Sequence, residues 1–160
     1  MSAIPVARLV VPPDGRQSAT AVAVARGTAR LLHSLGHARV TELPLASGRR
    51  ADIVALHQDG EVWIIEIKSS IEDFRADRKW PDYRLHCDRL FFATASHVPA
   101  EIFPPDAGLI VADAFGGCLI RAAPEHRLSA ATRKAMMLRF AHAAATRLLT
   151  IGDPTLRAGE

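Results

Sequence analysis

The feature that most constrains the fold of this chain is a pair of apolar segments, 52–57 and 61–68, separated only by Gln58-Asp59-Gly60. Apolar side chains occupy both the odd and the even positions of each segment, which is typical of strands that are buried on both faces of a sheet. A three-residue loop with Gly in the left-handed region is a common connection in antiparallel hairpins. The pattern therefore predicts a central hairpin in a sheet that other elements cover on both sides.

Helix and strand signals around the hairpin extend this sheet into a mixed α/β domain. Ser18, Ser70 and Ser129 each stand where a helix is predicted to begin, and the second helix is expected to break at Pro81. The further predicted strands are 39–45, 89–95, 108–112 and 118–122. The resulting order, α-β-β-β-α-β followed by β-β-α, predicts helices packed on one central sheet.

Length and composition limit the class of protein. The 160 residues correspond to one domain, which we divide into an N-terminal arm (1–17), a folded domain (18–149) and a flexible C-terminal tail (150–160). A hydrophobic content of 49% with 23% charged residues excludes a disordered or collagen-like chain. The sequence shows neither an apolar run of membrane length nor a secretory signal, and its two cysteines do not suggest a disulfide framework. We therefore expect a cytoplasmic protein with no membrane partner.

The net charge of +3 conceals an uneven distribution of charge along the chain. Residues 42–120 carry thirteen acidic and eight basic side chains, whereas 1–41 and 121–149 are both predominantly basic. A metal site flanked by phosphate-binding arms would give an acidic centre between basic ends. Chance would give the same pattern, so the assignment depends on the chemistry of individual residues.

Asp52, Glu66 and Lys68 form the pattern that carries chemistry. Side chains at positions i and i+2 of a strand share a face, so Glu66 and Lys68 are expected to point the same way. A three-residue loop at 58–60 places Asp52 directly opposite Glu66 and on that face, whereas a two-residue loop would turn Asp52 to the other face. The geometry of the hairpin is therefore the test of this constellation.

Two carboxylates and an ammonium group at the end of buried strands suggest a site for a divalent cation. Neighbouring acids repel each other when both are ionised, and a cation removes that repulsion. Mg²⁺ binds one or two carboxylates together with water and phosphate, and it lowers the pKa of a bound water. Lys68 would hold that water or stabilise developing negative charge. These residues predict a Mg²⁺-dependent phosphodiester hydrolase, with Mn²⁺ able to substitute, and the alternative is an ordinary salt bridge at a strand end.

The segments RAD and EIKSS, which contain these residues, resemble the signature of the PD-(D/E)XK nuclease superfamily. Over about residues 18–149 the chain more closely resembles the MmcB-like DNA repair proteins of bacteria, through RRADIVAL, VWIIEIKSSIEDFRADRKWPDYRLHCDRLFFA and GLIVAD. The resemblance implies a restriction-endonuclease-like core, α-β-β-β-α-β, with a mixed central sheet flanked by helices. It also implies Asp52, Glu66 and the backbone carbonyl of Ile67 as metal ligands, and Lys68 as the catalytic lysine.

Three further acids near the motif have less specific interpretations. Glu42, on the first predicted strand, either supplies another metal ligand or pairs with Arg49 or Arg50. Asp73 and Asp77 lie four residues apart, and we expect both on a solvated face of the charged helix. The basic residues between and after them would balance their charge.

Contacts with DNA are expected from cationic and aromatic side chains in the helices and near the motif. These candidates are Arg26, Arg30, Arg50, Lys79, Tyr83, Arg133 and Lys134. Tyr83 could stack on a base or pack its segment onto the sheet. The last predicted helix, which also carries Arg139 and Arg147, is the best candidate for a basic face that touches phosphates.

Taken together, these residues predict a DNA repair protein that hydrolyses DNA phosphodiester bonds in a metal-dependent reaction. The alternative is an accessory DNA-binding factor in repair, which would keep the nuclease fold without cutting. DNA is the expected partner in both cases. The sequence leaves open whether other repair proteins or a second copy of the chain also bind.

Overall fold

The computed structural model describes residues 18–156, which form a sheet with helices on both faces. The helices are α1 (Ala19–Ser34), α2 (Ile71–Ala76) and α3 (Ala130–Gly152), and the two 3₁₀ segments are Trp80–His86 and Ala100–Ile102. The strands are β1 (Ala38–Pro44), β2 (Arg50–Leu56), β3 (Val62–Ile67), β4 (Arg89–Thr94), β5 (Gly108–Ala112) and β6 (Gly117–Arg121). The predicted order of elements is confirmed.

All six strands belong to one mixed sheet with the order β1-β2-β3-β4-β5-β6. The pairs β1–β2, β2–β3 and β5–β6 are antiparallel, whereas β3–β4 and β4–β5 are parallel. The hairpin strands β2 and β3 therefore lie inside the sheet, as their two apolar faces predicted. The mixed central sheet flanked by helices, expected of a restriction-endonuclease-like core, is confirmed.

The loop between β2 and β3 is the expected three-residue connection. Gly60 has φ of 90°, a value that favours glycine, and its N–H donates to the carbonyl of His57 at 3.0 Å. The N–H of His57 in turn donates to the carbonyl of Glu61 at 3.0 Å. This local geometry sets the register in which Ile53 pairs with Ile65.

Helices cover both faces of the sheet, and each face contributes to a separate part of the core. On one face, Val24 and Leu32 of α1 pack with Ile53 and Ile65. On the other face, α3 and the first 3₁₀ segment pack against alternate residues of the same strands, with Met136 as the buried residue of α3. Asp52, Glu66 and Lys68 are at even-numbered positions, like the strand residues that pack on this second face. Their side chains therefore point to the side of the sheet that α3 covers.

Two element boundaries differ from the sequence prediction. The helix after Ser70 ends at Ala76, before the expected break, and Pro81 instead lies in the first turn of a 3₁₀ segment, where its missing N–H is tolerated. The last helix continues to Gly152, because the N–H of Asp153 still donates to the carbonyl of Leu149 at 2.9 Å. Part of the predicted tail is therefore helical, and residues 1–17 and 157–160 lie outside the described residues.

Candidate functional site

Asp52, near the start of β2, lies opposite Glu66, near the end of β3. This placement continues the register of the hairpin by one residue beyond the last β2–β3 pair. The N–H of Asp52 donates to Oε1 of Glu66 at 3.1 Å, and the N–H of Ile67 donates to Oδ2 of Asp52 at 2.8 Å. The hairpin therefore places both carboxylates on one face, as a three-residue loop requires.

Burial of this acid pair changes how readily it carries charge. The side chain of Glu66 is only 4% exposed, and burial together with the negative charge of Asp52 raises the pKa of Glu66 to about 9. Burial also raises the pKa of Asp52, despite the hydrogen bond from the Ile67 N–H. Two full negative charges are therefore unfavourable here at neutral pH unless a cation lies beside them.

Lys68 lies on the same face and is also buried. Its Nζ donates to Oδ2 of Asp77 at 2.7 Å, and its positive charge partly offsets the rise that burial causes in the pKa values of Asp52 and Glu66. The backbone of Lys68 is fixed at the end of β3, where its carbonyl accepts a 2.6 Å hydrogen bond from the hydroxyl of Thr94. The structure thus brings Asp52, Glu66 and Lys68 together, and Lys68 already forms an ion pair with Asp77.

The interpretation of Asp77 as a solvated residue was wrong. Because α2 ends at Ala76, Asp77 turns back toward the sheet, and only 18% of its side chain is exposed. Burial raises the pKa of Asp77, but hydrogen bonds from the Nζ of Lys68 and the N–H of Lys79 outweigh that effect and lower it. No periodicity in the sequence indicates this contact, since it depends on where α2 ends.

Asp73 was expected on a solvated face, but it makes hydrogen bonds at the start of α2. Its Oδ2 accepts a hydrogen bond from the N–H of Ser69 at 3.0 Å, while its own N–H donates to the hydroxyl of Ser70 at 3.1 Å. Ser70 therefore caps α2, as its place in the sequence predicted, while the Asp73 carboxylate bonds the N–H one residue before the cap. It connects the end of the motif directly to the helix that follows.

Glu42 is opposite Asp52 in the β1–β2 register, but its backbone turns its side chain elsewhere. Its φ of 51° lies in the left-handed region, and its carboxylate oxygen Oε1 lies 3.7 Å from Nη2 of Arg50. Between residues 18 and 156, no three His, Cys, Asp or Glu side chains are arranged to hold a metal ion together. The structure shows the pairing with Arg50, and the role of Glu42 as a further metal ligand stays a prediction.

Two of the residues predicted to contact DNA are used by the fold. The ring of Tyr83 is buried in the core and its hydroxyl donates to the carbonyl of Arg50 at 2.9 Å, so a base could not stack on it. Both terminal nitrogens of Arg133 bond the carboxylate of Asp88 at 2.7 Å, and one of them also bonds the carbonyl of Gly60. Tyrosine and arginine are common in nucleic-acid contacts, which is why both were candidates. Their actual partners are distant in sequence, so the sequence alone did not indicate these contacts.

Two arginines of the expected basic face of α3 also bond the neighbouring strand, although both remain exposed. Arg139 donates to the carbonyl of Pro44 at 3.3 Å, and Arg147 donates to the carbonyls of Thr41 and Glu42. These contacts attach α3 to β1 and leave Lys134 exposed on the outer side of the helix. The phosphate-binding face on α3 stays a prediction, carried by Lys134 and by the exposed parts of Arg139 and Arg147.

The remaining cationic candidates divide between the two faces of the sheet. Arg26 and Arg30 are exposed on α1, which covers the face away from the acid pair, and Arg30 donates to the carbonyl of Phe115 at 3.0 Å. Arg50 and Lys79 are exposed near the motif, at the start of β2 and beside Asp77. Only these two are brought near Asp52 and Glu66.

The fold and site define an α/β domain in which a half-buried Asp52, a buried Glu66 and a buried lysine meet at the ends of two central strands. The sequence matches the family described as "DNA repair protein MmcB-like" over residues 10–155. This match includes most of the chain, and the protein therefore belongs to the MmcB-like family of DNA repair proteins. Within residues 18–156, no helix is long and apolar enough to cross a membrane.

Two solved structures are similar to this chain. "SPO1766 protein of unknown function from Silicibacter pomeroyi" has 42% sequence identity and a TM-score of 0.84, covering 89% of this chain and 97% of that one. The "crystal structure of a repair endonuclease from Pyrococcus abyssi" has 15% identity and a TM-score of 0.32, covering 44% of this chain and 34% of that one, too slight a similarity to support an argument. A search of curated proteins finds no match.

Proposed function

We propose that this protein is a metal-dependent nuclease that hydrolyses phosphodiester bonds of DNA during repair. The observation that carries the proposal is the pair formed by half-buried Asp52 and buried Glu66, with Lys68 on the same face. Membership of a DNA repair family supports DNA as the substrate. The contacts among these residues also fit the divalent cation that such a reaction needs.

The fit to Mg²⁺ rests on the oxygen atoms and on the charge of the pair. Each carboxylate uses one oxygen to accept a backbone N–H, and the two carboxyl groups are close enough to share a proton when no cation is bound. Two carboxylate oxygens, completed by water and phosphate, are a ligand set that Mg²⁺ accepts. When bound there, Mg²⁺ would neutralise charge on a phosphate and lower the pKa of a water.

The chain itself would orient the reacting groups. The backbone hydrogen bonds across β2 and β3 hold the two carboxylates rigidly, so little reorganisation is needed when substrate binds. The backbone of Lys68 is fixed by hydrogen bonds with Thr94 and Ala93, and its ammonium would donate to the attacking water or to the developing charge. Arg50 and Lys79, exposed nearby, would contact neighbouring phosphates.

One contact favours the second function, an accessory DNA-binding factor that does not cut. The Nζ of Lys68 is bound by Asp77, and both side chains are largely buried. A lysine held in this way is not free to act on a water. If Asp77 suppresses cutting, Asp77→Asn should raise the cleavage rate, because the amide keeps the contact with the Lys79 N–H but loses the charge that holds Lys68.

The test is cleavage of labelled single-stranded, duplex and branched DNA by the full chain with Mg²⁺ or Mn²⁺. Asp52→Asn and Glu66→Gln should each abolish cutting, and Glu101→Gln, an exposed acid in the second 3₁₀ segment, is the matched control. Calorimetry should show Mn²⁺ binding to the wild type that both site variants lose. Cutting that survives both site substitutions would exclude this site, and DNA binding without cutting by the wild type and by Asp77→Asn would establish the accessory role.

A further inference from the structure

The outer side of α3 is apolar although nothing in the described chain covers it. The inner side of this helix packs on the core through Met136, Phe140 and Ala143. On the opposite side, Leu138 is 62% exposed and Leu148 is 70% exposed. A contiguous apolar surface of this kind commonly marks an interaction site.

The exposed residues repeat with the spacing of helices that pack along a seam. Leu138, Ala141, Ala145 and Leu148 follow one another at intervals of three, four and three residues, which is the alternation of a heptad seam. The exposed side chains of Met137 and Leu149 flank this seam on its two sides. An apolar groove of about 630 Å³ runs beside Met137 and extends the surface onto the body of the domain.

The seam has the same pattern when it is followed from either end. If two α3 helices lie antiparallel, with their twofold axis between Ala141 and Ala145, large residues meet large residues and small residues meet small ones. The layers are Leu138 with Leu148 of the second copy, Ala141 with Ala145 of the second copy, and Lys134 with Gly152 of the second copy. A surface that complements itself in this way is what a twofold homodimer requires.

Charge at the two ends of the seam agrees with the same arrangement. Lys134 would lie beside the C-terminal end of the second helix, where unsatisfied carbonyls carry partial negative charge. The exposed carboxylate of Asp153 lies at that end. A parallel pair would place Lys134 beside Lys134 of the second copy and would gain neither interaction.

We propose that a second copy of this chain covers the outer face of α3, in an antiparallel helix pair centred between Ala141 and Ala145. The small side chains at the centre let the two backbones approach closely, and the leucines pack on either side of them. This inference is independent of the nuclease proposal, because the inner face of α3, not the outer one, packs against the sheet that bears Asp52 and Glu66.

The first test measures the mass of the full chain by light scattering and sedimentation over a range of concentrations. The wild type should be a dimer, and Leu138→Arg and Leu148→Glu should each weaken dimerisation at least about tenfold, which corresponds to about 1.4 kcal/mol. Thr146→Arg, on an exposed part of α3 outside the seam, should leave the dimer intact. Circular dichroism would show that all three variants remain folded, since each position is exposed.

Mixing the two weakened variants tests the direction of packing. In the antiparallel pair, the arginine introduced by Leu138→Arg faces the glutamate introduced by Leu148→Glu, and the other leucine layer is unchanged. The mixture should therefore regain a dimer that neither variant forms alone. A wild type that is monomeric throughout, a dimer that persists in Leu138→Arg, or a mixture that stays monomeric would overturn the proposal.

A zero-length cross-link gives a second and independent measurement. Within one helix, Lys134 and Asp153 are separated by about 28 Å along the axis, so a carbodiimide bond between them can form only between two copies. Mass spectrometry should find this cross-link in the wild type and not in Asp153→Asn. Its absence from a sample that is dimeric by mass would overturn the antiparallel register.

Discussion

A buried carboxylate is bound at each end of β3, and the two ends differ in how the negative charge is balanced. At the first end, Asp88 accepts hydrogen bonds from the N–H groups of Val62 and Leu128 and from both terminal nitrogens of Arg133. At the other end, Glu66 accepts the Asp52 N–H and lies beside a second acid. One end is fully compensated, whereas the other holds two acids that do not both ionise readily at neutral pH without a cation.

The pKa values express the same contrast. Burial raises the pKa of Asp88, but the hydrogen bonds from Arg133, Val62 and Leu128 outweigh it and hold the value at about 2. The pKa of Glu66 is about 9, because burial and Asp52 act in the same direction. A carboxylate with a complete set of donors stabilises a fold, while a pair that lacks a cation is suited to bind one.

Removing the compensated acid should have the largest effect on stability. Asp88→Ala would leave Arg133 and two buried N–H groups without their partner, and we expect the free energy of unfolding to fall by about 3 kcal/mol. Urea titration followed by circular dichroism measures the loss. Glu125→Ala, which removes an exposed acid 3.7 Å from Arg89, should change stability by less than about 1 kcal/mol. Equal losses in the two variants would contradict the central role of Asp88.

Acid titration should reveal the same residue with a smaller effect. Because the pKa of Asp88 falls from 3.8 to about 2 on folding, its contribution is complete above pH 3.8 and is lost as the pH falls toward 2. The wild type should therefore lose about 2 kcal/mol more stability than Asp88→Asn across this window. The measurement is urea unfolding of both proteins at pH 5, 4, 3 and 2. Parallel losses in the two proteins would show that another group is responsible.

The two ends of β3 also differ in how well the sequence predicts them. The acid pair depends on the hairpin register, and that register follows from local turn chemistry at Gln58-Asp59-Gly60. The contact of Asp88 with Arg133 spans 45 residues and depends on where α3 packs. Local turn chemistry was enough to predict that Asp52, Glu66 and Lys68 share a face. It could not predict which arginines form ion pairs with acids that are distant in sequence.

Glu66→Gln should change stability in the opposite direction to Asp88→Ala. The amide still accepts the Asp52 N–H and is always neutral, whereas Glu66, whose pKa is about 9 in the fold, must take up a proton on folding at neutral pH. Without divalent metal, we expect the free energy of unfolding to rise by about 1 kcal/mol at neutral pH, while cleavage is lost. Unfolding in urea with a chelator measures this, with Glu101→Gln as the control. A loss of stability would show that keeping Glu66 protonated in the fold has no cost.

The smallest effect is expected at Glu42, whose backbone lies in the left-handed region opposite Asp52. Glu42→Gly should raise the free energy of unfolding by about 0.5 kcal/mol, because glycine adopts this φ without steric cost but loses more chain entropy on folding. Glu42→Ala is the matched control, since it removes the same carboxylate and keeps the unfavourable backbone. Thermal unfolding compares the stability of the two variants. Both should retain metal-dependent cleavage if Asp52 and Glu66 hold the cation without a third acid. Loss of cleavage in both variants at unchanged stability would instead make Glu42 part of the metal site. The site would then contain one acid from each of β1, β2 and β3.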